Sequence, residues 1–235
     1  MRQGSRVVRR RSLFRSLAHG AARLALALAC LFGSLVALYT FVPPVSTLML
    51  ARRVEGKSYE RDSVRIRNIA PAAIAAVIAS EDASFCFNDG VDWEALHQVL
   101  SRAGDHGASR GASTITMQTA KNLFLWPGRS MVRKGIEIGM ALVLDKVWSK
   151  ALTIEIYLNI AEWGDGLFGV EAAAQHYFHK SASRLDAREA ALLATALPNP
   201  VKRSPSHPDA FQWRLAATVM ARAEDGAELT GCLPR

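Results

Sequence analysis

The chain has 235 residues, 50% of them hydrophobic, enough for one domain with a full core plus an apolar appendage. Of its 29 Lys and Arg, seven (Arg2, Arg6, Arg9, Arg10, Arg11, Arg15 and Arg23) stand in residues 1–23 with no acid, leaving 22 against 21 Asp and Glu thereafter. The net charge of +8 therefore belongs mostly to an N-terminal tail and gives no support to a nucleic-acid partner.

Residues 24–42 carry no charge. At about 1.5 Å per residue they nearly match a hydrocarbon core of about 30 Å. Arginines precede them and Pro43-Pro44 follows, so the expectation is a retained transmembrane helix with its arginine-rich flank in the cytoplasm. A cleaved signal peptide is the rival reading. It needs a shorter apolar run and a small-residue cleavage site, and Thr40-Phe41-Val42-Pro43-Pro44 is a poor one. Residues 45–51 form a second apolar run before Arg52-Arg53, too short to span. It reads equally as a helix in the membrane interface or one packed on the domain.

From about residue 58 the pattern is helical. Asn68 and Pro71 open an apolar helix that ends near Glu81. Asp92 caps the next, which Gly104 is expected to close, and residues 104–112 read as a flexible loop. Ser113 is the expected cap of a helix reaching Trp126, Ser130 of a long helix through Trp148, and Ser149 of one ending near Asn159. A glycine-rich irregular stretch (161–169) precedes a helix over 170–178. Asp186 and Glu189 make a capping box, and Asp209 caps a last helix to about Arg222. The tail beyond is expected to be loose. No run of alternating strands occurs, so the fold class is mainly α.

Cys30, Cys86 and Cys232 give no disulfide framework and no metal spacing; at most Cys86 and Cys232 could pair, and free thiols are expected. His176 and His179 can share a helical face, but no HExxH pattern exists and a zinc site is not expected.

Three clusters could carry chemistry. Glu81 sits at a helix C-terminus beside apolar Ile78 and Phe85, where dipole and desolvation both raise a carboxylate pKa, as suits a general base. Residues 111–121 offer a helix start with Ser113 and Thr114 hydroxyls, suited to an anion, and Ser113, Met117 and Lys121 recur at four-residue steps. Arg133, Lys134 and Glu137 can share one face. Each alone also reads as a capped helix or a surface ion pair. Together they fit transfer from a sugar diphosphate, whose leaving group needs positive charge rather than a protonated acid.

The matching stretches are Ser80-Glu-Asp-Ala-Ser-Phe, Arg110-Gly-Ala-Ser-Thr-Ile-Thr-Met-Gln-Thr-Ala-Lys-Asn-Leu-Phe-Leu-Trp, Arg133-Lys-Gly-Ile-Glu, Trp148-Ser-Lys, the run from Ile156 to Gln175, and Glu189-Ala-Ala-Leu-Leu-Ala through Pro198-Asn-Pro. From about residue 45 to 200 they make the chain resemble the monofunctional biosynthetic peptidoglycan transglycosylases, relatives of the glycosyltransferase domain of class A penicillin-binding proteins. The resemblance implies a lysozyme-like α fold behind a single transmembrane helix at the bacterial inner membrane. It implies polymerisation of lipid II into glycan strands on the periplasmic side, with cell-wall synthesis or division proteins as candidate partners. Glu81 corresponds to the general base. Glu137 matches a second carboxylate that positions a divalent metal (Mg or Mn) or the diphosphate region. Lys121, Arg133 and Lys134 match diphosphate-holding cations, and Ser113, Thr114 and Gln118 match polar residues lining the cleft. Asn88 replaces a common His and Met117 a common Gln. No Ser-x-x-Lys is present, so no transpeptidase module is expected.

The implied division is a basic cytoplasmic tail (1–23), a transmembrane helix (24–42), a membrane-proximal segment (43–57), a lysozyme-like glycosyltransferase domain (58–223) and a loose tail (224–235). A glycan-cleaving enzyme of the lytic transglycosylase or lysozyme type is the alternative, as is a non-catalytic cell-wall scaffold. The cationic set separates the first from a transferase, because a cleaver has no diphosphate to hold.

Overall fold

A computed structural model describes residues 3–106, 112–128, 130–224 and 226–234. The chain divides into two units, Met1–Val42 and Pro43–Arg235. In the first, helix α1 runs over Gln3–Leu38 without a break. Basic residues and apolar ones thus share one helix, since arginine and leucine are both good helix formers and no proline intervenes. The stretch Leu17–Leu38 is long and apolar enough to cross a membrane, so the apolar span starts and ends earlier than the composition predicts.

The second unit is helical, with one small sheet. Helix α2 (Thr47–Val54) is capped by Ser46 and packs on the domain: Met49 is fully buried, and the Thr47 hydroxyl donates to the carbonyls of Asn122 and Leu125. The segment thus packs on the domain, one of the two readings left open for residues 45–51, while Leu50 and Val54 stay exposed. Strand β1 (Glu60–Arg61) follows, then α3 (Pro71–Glu81), α4 (Trp93–His106), α5 (Ile115–Phe124), α6 (Met131–Val147) and α7 (Lys150–Ile160). The stretch expected to be irregular instead makes β2 (Glu162–Gly164) and β3 (Leu167–Phe168), which join β1 in the order β1-β3-β2. Gly169, at φ 89°, allows the turn into α8 (Val170–Phe178); a Cβ there would lie 2.6 Å from the Asp62 carbonyl oxygen. Helices α9 (Ala187–Ala196), α10 (Ala210–Glu224) and α11 (Gly226–Leu229) complete the chain.

Pro71 at the first turn and an unbroken apolar run make α3 a buried helix, with Ala73 through Ala79 all inside. It packs against α9 and α10, while α5 packs against α6 and α7. The largest buried side chains, among them Trp163, Tyr157, Phe85 and Phe168, fill the space between. The capping box at Asp186 and Glu189 forms, and Asp92, Ser130, Ser149 and Asp209 cap as predicted.

Four expectations need correction. Helix α4 runs past Gly104 to His106, and the rest of the predicted loop (107–111) lies outside the described residues. Helix α5 is capped by Thr114 rather than Ser113 and stops at Phe124, not Trp126. The C-terminal tail is not loose: α11 contacts α3 and α10, and Leu229 and Leu233 pack against the core. Cys86 and Cys232 are not free thiols; they form a disulfide across 146 residues. Neither outcome carries a local sequence signal, because both arise from where the last helix leaves the chain.

Candidate active site

Glu81 is the last residue of α3, and Asp82 turns the chain away from it. The two adjacent carboxylates do different work. Asp82, buried, accepts the first backbone N–H of α5 from Ile115 at 3.0 Å, together with Asn88 Nδ2 at 3.0 Å and the Ser84 hydroxyl at 3.1 Å. It thereby ties the start of α5 to the end of α3. Thr114 adds a second tie, donating to the Gly90 carbonyl at 2.7 Å while accepting from Met117 N–H. Gly90 has φ 94°, and a Cβ there would meet the Ala141 carbonyl of α6 at 2.7 Å. Only glycine lets this turn come so close to α6.

The ties bring Gln118 against Glu81. Gln118 Nε2 donates to Glu81 Oε2 at 2.9 Å, and its Oε1 accepts from the Tyr157 hydroxyl at 3.3 Å. Among the described residues, the other carboxylate oxygen, Oε1, has only the long 3.5 Å contact with the Ser80 hydroxyl. Burial pushes the Glu81 carboxyl above its ordinary value; the Gln118 hydrogen bond and the charge of Lys121, with smaller help from Ser80 and Arg203, pull it back. Asp82 is likewise raised by burial and restrained by its donors.

Helix α6 buries charge as well as apolar surface. Arg133, Glu137, Ala141 and Leu144 are buried, whereas Met131, Val132, Ile136, Val143 and Val147 are exposed. The first half of its inward side is therefore polar, and a buried carboxylate there needs a partner, since desolvating it unpaired is costly. Glu137, 2% exposed, accepts from Lys134 Nζ at 2.8 Å. The same Nζ donates to the Ser113 hydroxyl at 2.8 Å, so Ser113, freed from capping, joins α6 to the start of α5. The Gln118 amide also reaches the Ser113 carbonyl at 3.5 Å. A continuous polar chain thus runs from Glu81 through Gln118, Ser113 and Lys134 to Glu137. Lys121, set in α5, feels both carboxylates and both other cations; burial lowers its pKa, Glu137 and Glu81 raise it, and Arg133 and Lys134 lower it. Beside Gln118 and Lys121 opens a cavity of about 160 Å³ that Asn122, Tyr157 and Glu162 also line.

All eight residues singled out from the sequence therefore fall in one region, though Ser113 and Thr114 exchange the expected roles. Met117 does not share their face: it is fully buried against Val91 and Ala141. Asn88 holds the turn after Glu81, donating to Asp82 while its carbonyl accepts from Lys150 Nζ at 2.8 Å. Sequence reasoning paired Asp82 with Glu81 as a second acid without seeing that it ties down α5, and missed Tyr157, Lys150 and Arg203 as contributors. Arg203, whose Nη1 donates to the Thr195 carbonyl, lies in the proline-rich connection, where no periodicity points to it.

Glu137 is paired with Lys134 and neighboured by Lys121. Magnesium is commonly held by one or two carboxylates together with substrate phosphate oxygens, so Glu137 would hold a divalent ion only jointly with the diphosphate.

A desolvated carboxylate set beside several cations in a helical domain suits glycosyl transfer from an anionic donor, and the comparisons with known proteins place the chain among enzymes of that class. The chain belongs to the transglycosylase family, whose model matches residues 48–224. Its curated relatives include one from Agrobacterium fabrum, 49% identical over 94% of this chain and 98% of the relative. Another, from Brucella suis, is 51% identical over 91% and 96%, and one from Nitrobacter winogradskyi is 53% identical over 84% and 88%. Each bears the name biosynthetic peptidoglycan transglycosylase.

Proposed function

We propose that this chain is a membrane-anchored peptidoglycan glycosyltransferase that polymerises lipid II into linear glycan strands with release of undecaprenyl diphosphate. The observation that carries the reading is the run of polar contacts from Glu81 through Gln118, Ser113 and Lys134 to Glu137. In the proposed step, Glu81 Oε1 takes the proton of the acceptor sugar's 4-hydroxyl. The freed oxygen bonds to the anomeric carbon of the donor as the bond from that carbon to the diphosphate oxygen breaks. The electron pair leaves with the diphosphate, and attack from the opposite face inverts the centre. Lys121, Arg133 and Lys134 stabilise the charge that develops on the leaving group. Ser113, Thr114 and Gln118 orient the groups around it. Glu137 holds Lys134 in place.

A glycan cleaver would use one carboxyl group as an acid toward a departing sugar oxygen. The inward-facing cations have no task in that reaction, and this favours the transferase. The apolar exposed side of α6 and the Leu17–Leu38 span support a site working at a lipid surface. The arginines ahead of the span support a cytoplasmic N-terminus, and the Cys86–Cys232 disulfide supports an oxidising, periplasmic location for the domain at the bacterial inner membrane. Partner proteins of cell-wall synthesis or division would meet it there.

The test is incubation of the detergent-extracted protein with labelled lipid II and separation of the products on a gel. A ladder of lengthening glycans is expected. Shortening of pre-made glycan without any ladder would favour the cleaver, and neither product would favour the scaffold.

A further inference from the structure

Cys86 lies in the turn that directly follows Glu81 and Asp82. That turn is wound like a helix: Phe85 N–H donates to the Asp82 carbonyl, and Phe87 and Asn88 N–H donate to the Ser84 carbonyl. Phe85 is fully buried, with Lys150 Nζ 4.9 Å from its ring centroid. Ser84 and Asn88, on either side of Cys86, both donate to the Asp82 carboxylate that ties down α5. Displacement of this turn therefore moves Asp82, then the start of α5, and then Gln118 against Glu81.

Cys232 comes from the other end of the chain and lies beyond residue 224, where the match to the family model ends. Its Cα is 5.4 Å from that of Cys86, and its backbone N–H donates to Cys86 Sγ at 3.4 Å. The segment that carries it meets the core through α11, which contacts α3 and α10, and through the partly buried Leu229 and Leu233. One helical turn is not stable alone. The segment beyond the family module is thus a strap whose covalent anchor is the turn behind Glu81.

We infer that the Cys86–Cys232 disulfide is an oxidation-dependent positioning device that holds the turn after Glu81 in its working place. Two thiols give up two electrons and two protons to a disulfide donor, whose own S–S bond is reduced to two thiols. Cytosolic thiols stay reduced, so the strap closes only once the domain is on the oxidising side of the membrane. The site would then reach its full geometry only where its substrate is used. The activity half of this inference rests on the proposed glycosyltransferase reading; the positioning half does not.

The test uses the full-length protein in detergent, oxidised, reduced with dithiothreitol, and re-oxidised with oxidised glutathione, beside the Cys232→Ser variant. Without substrate, amide exchange should speed up on reduction in residues 82–92 and 115–118 but not in α7. With lipid II, kcat should fall by roughly tenfold at nearly constant KM, within the hundredfold that a misplacement of about 1 Å can cost. Re-oxidation should restore both in the wild type, and Cys232→Ser should stay at the reduced level throughout. Unchanged exchange in 82–92 would overturn the inference. So would equal acceleration in α7, which would make the bond a general staple, or faster exchange with unchanged kcat. If the oxidised wild type makes no glycan, the glycosyltransferase reading fails, while the exchange result still decides whether the strap positions the turn.

Discussion

Gln118 Nε2 stands 2.9 Å from Glu81 Oε2, with the Gln118 carbonyl oxygen held by the Tyr157 hydroxyl. Turning the amide over would set its oxygen against the Glu81 carboxylate oxygen, acceptor against acceptor, so the N–H stays aimed at the carboxylate. One oxygen of Glu81 is occupied and the other is left for a substrate hydroxyl.

The Gln118 bond also sets the titration of Glu81, since it lowers a pKa that burial has raised. Gln118→Leu should therefore move the acid limb of the kcat profile to higher pH. It should also lower kcat by about tenfold or more near that limb, the size of one hydrogen bond to a charged group (about 1.5–3 kcal/mol). Rates of lipid II consumption across pH measure both. An unmoved limb would mean that Gln118 has no hold on the base.

Burial of Glu81 has a signed effect on stability. Its folded pKa lies above the ordinary 4.5, so between 4.5 and the raised value the native state keeps protons that the unfolded state has lost. Stability then falls as pH rises through that window. Glu81→Gln removes this loss. The variant should melt at the same temperature as the wild type below about pH 4.5, within the precision of such reference values. It should melt higher at neutral pH. Thermal melts at the two pH values decide it, and a variant less stable at neutral pH would contradict the burial argument.

Lys134 is the ion-pair partner of nearly inaccessible Glu137, but is itself 28% exposed in its side chain. Lys134→Met should leave Glu137 with an unmet charge. The full cost of breaking a buried pair, about 3–5 kcal/mol, is reduced by water reaching the lysine side, so a loss nearer about 1–3 kcal/mol is expected. Urea unfolding measures it. Glu137→Gln should restore part of the stability in the double variant, because the orphaned charge is then gone.

Asp82 offers a separate check on the tie between α3 and α5. Asp82→Asn keeps the shape but sets an amide among three donors, from Ile115, Asn88 and Ser84. The expected cost is about 1–3 kcal/mol, the range for an unsatisfied buried group. Urea unfolding should show it, together with faster exchange at the start of α5.

Caps and apolar runs made the helices legible: Pro71 announces a helix start through its fixed φ, and Asp92, Ser130, Ser149 and Asp186 each do so through a local hydrogen bond that forms. Ser113 misled because Thr114 beside it is an equally good cap. The choice was made by the Gly90 carbonyl, which takes the Thr114 hydroxyl, and by Lys134, which takes Ser113. Glu81 and the cations could be named because their motifs are contiguous. Tyr157, Arg203 and the Cys86–Cys232 bond could not, because each joins distant parts of the chain and leaves no periodic trace. The buried charges of α6 were only half visible: spacing put Arg133, Lys134 and Glu137 on one side, but not that Arg133 and Glu137 there are buried.

The central claim is that the Glu81 carboxylate accepts the proton of the attacking sugar hydroxyl. Its most direct test is the rate of glycan formation from labelled lipid II by the wild type and by Glu81→Gln at equal enzyme and saturating substrate. A variant slower by at least about a hundredfold, with its fold intact by circular dichroism, is the predicted result. Glycan formation by the variant within a few-fold of the wild type would contradict it.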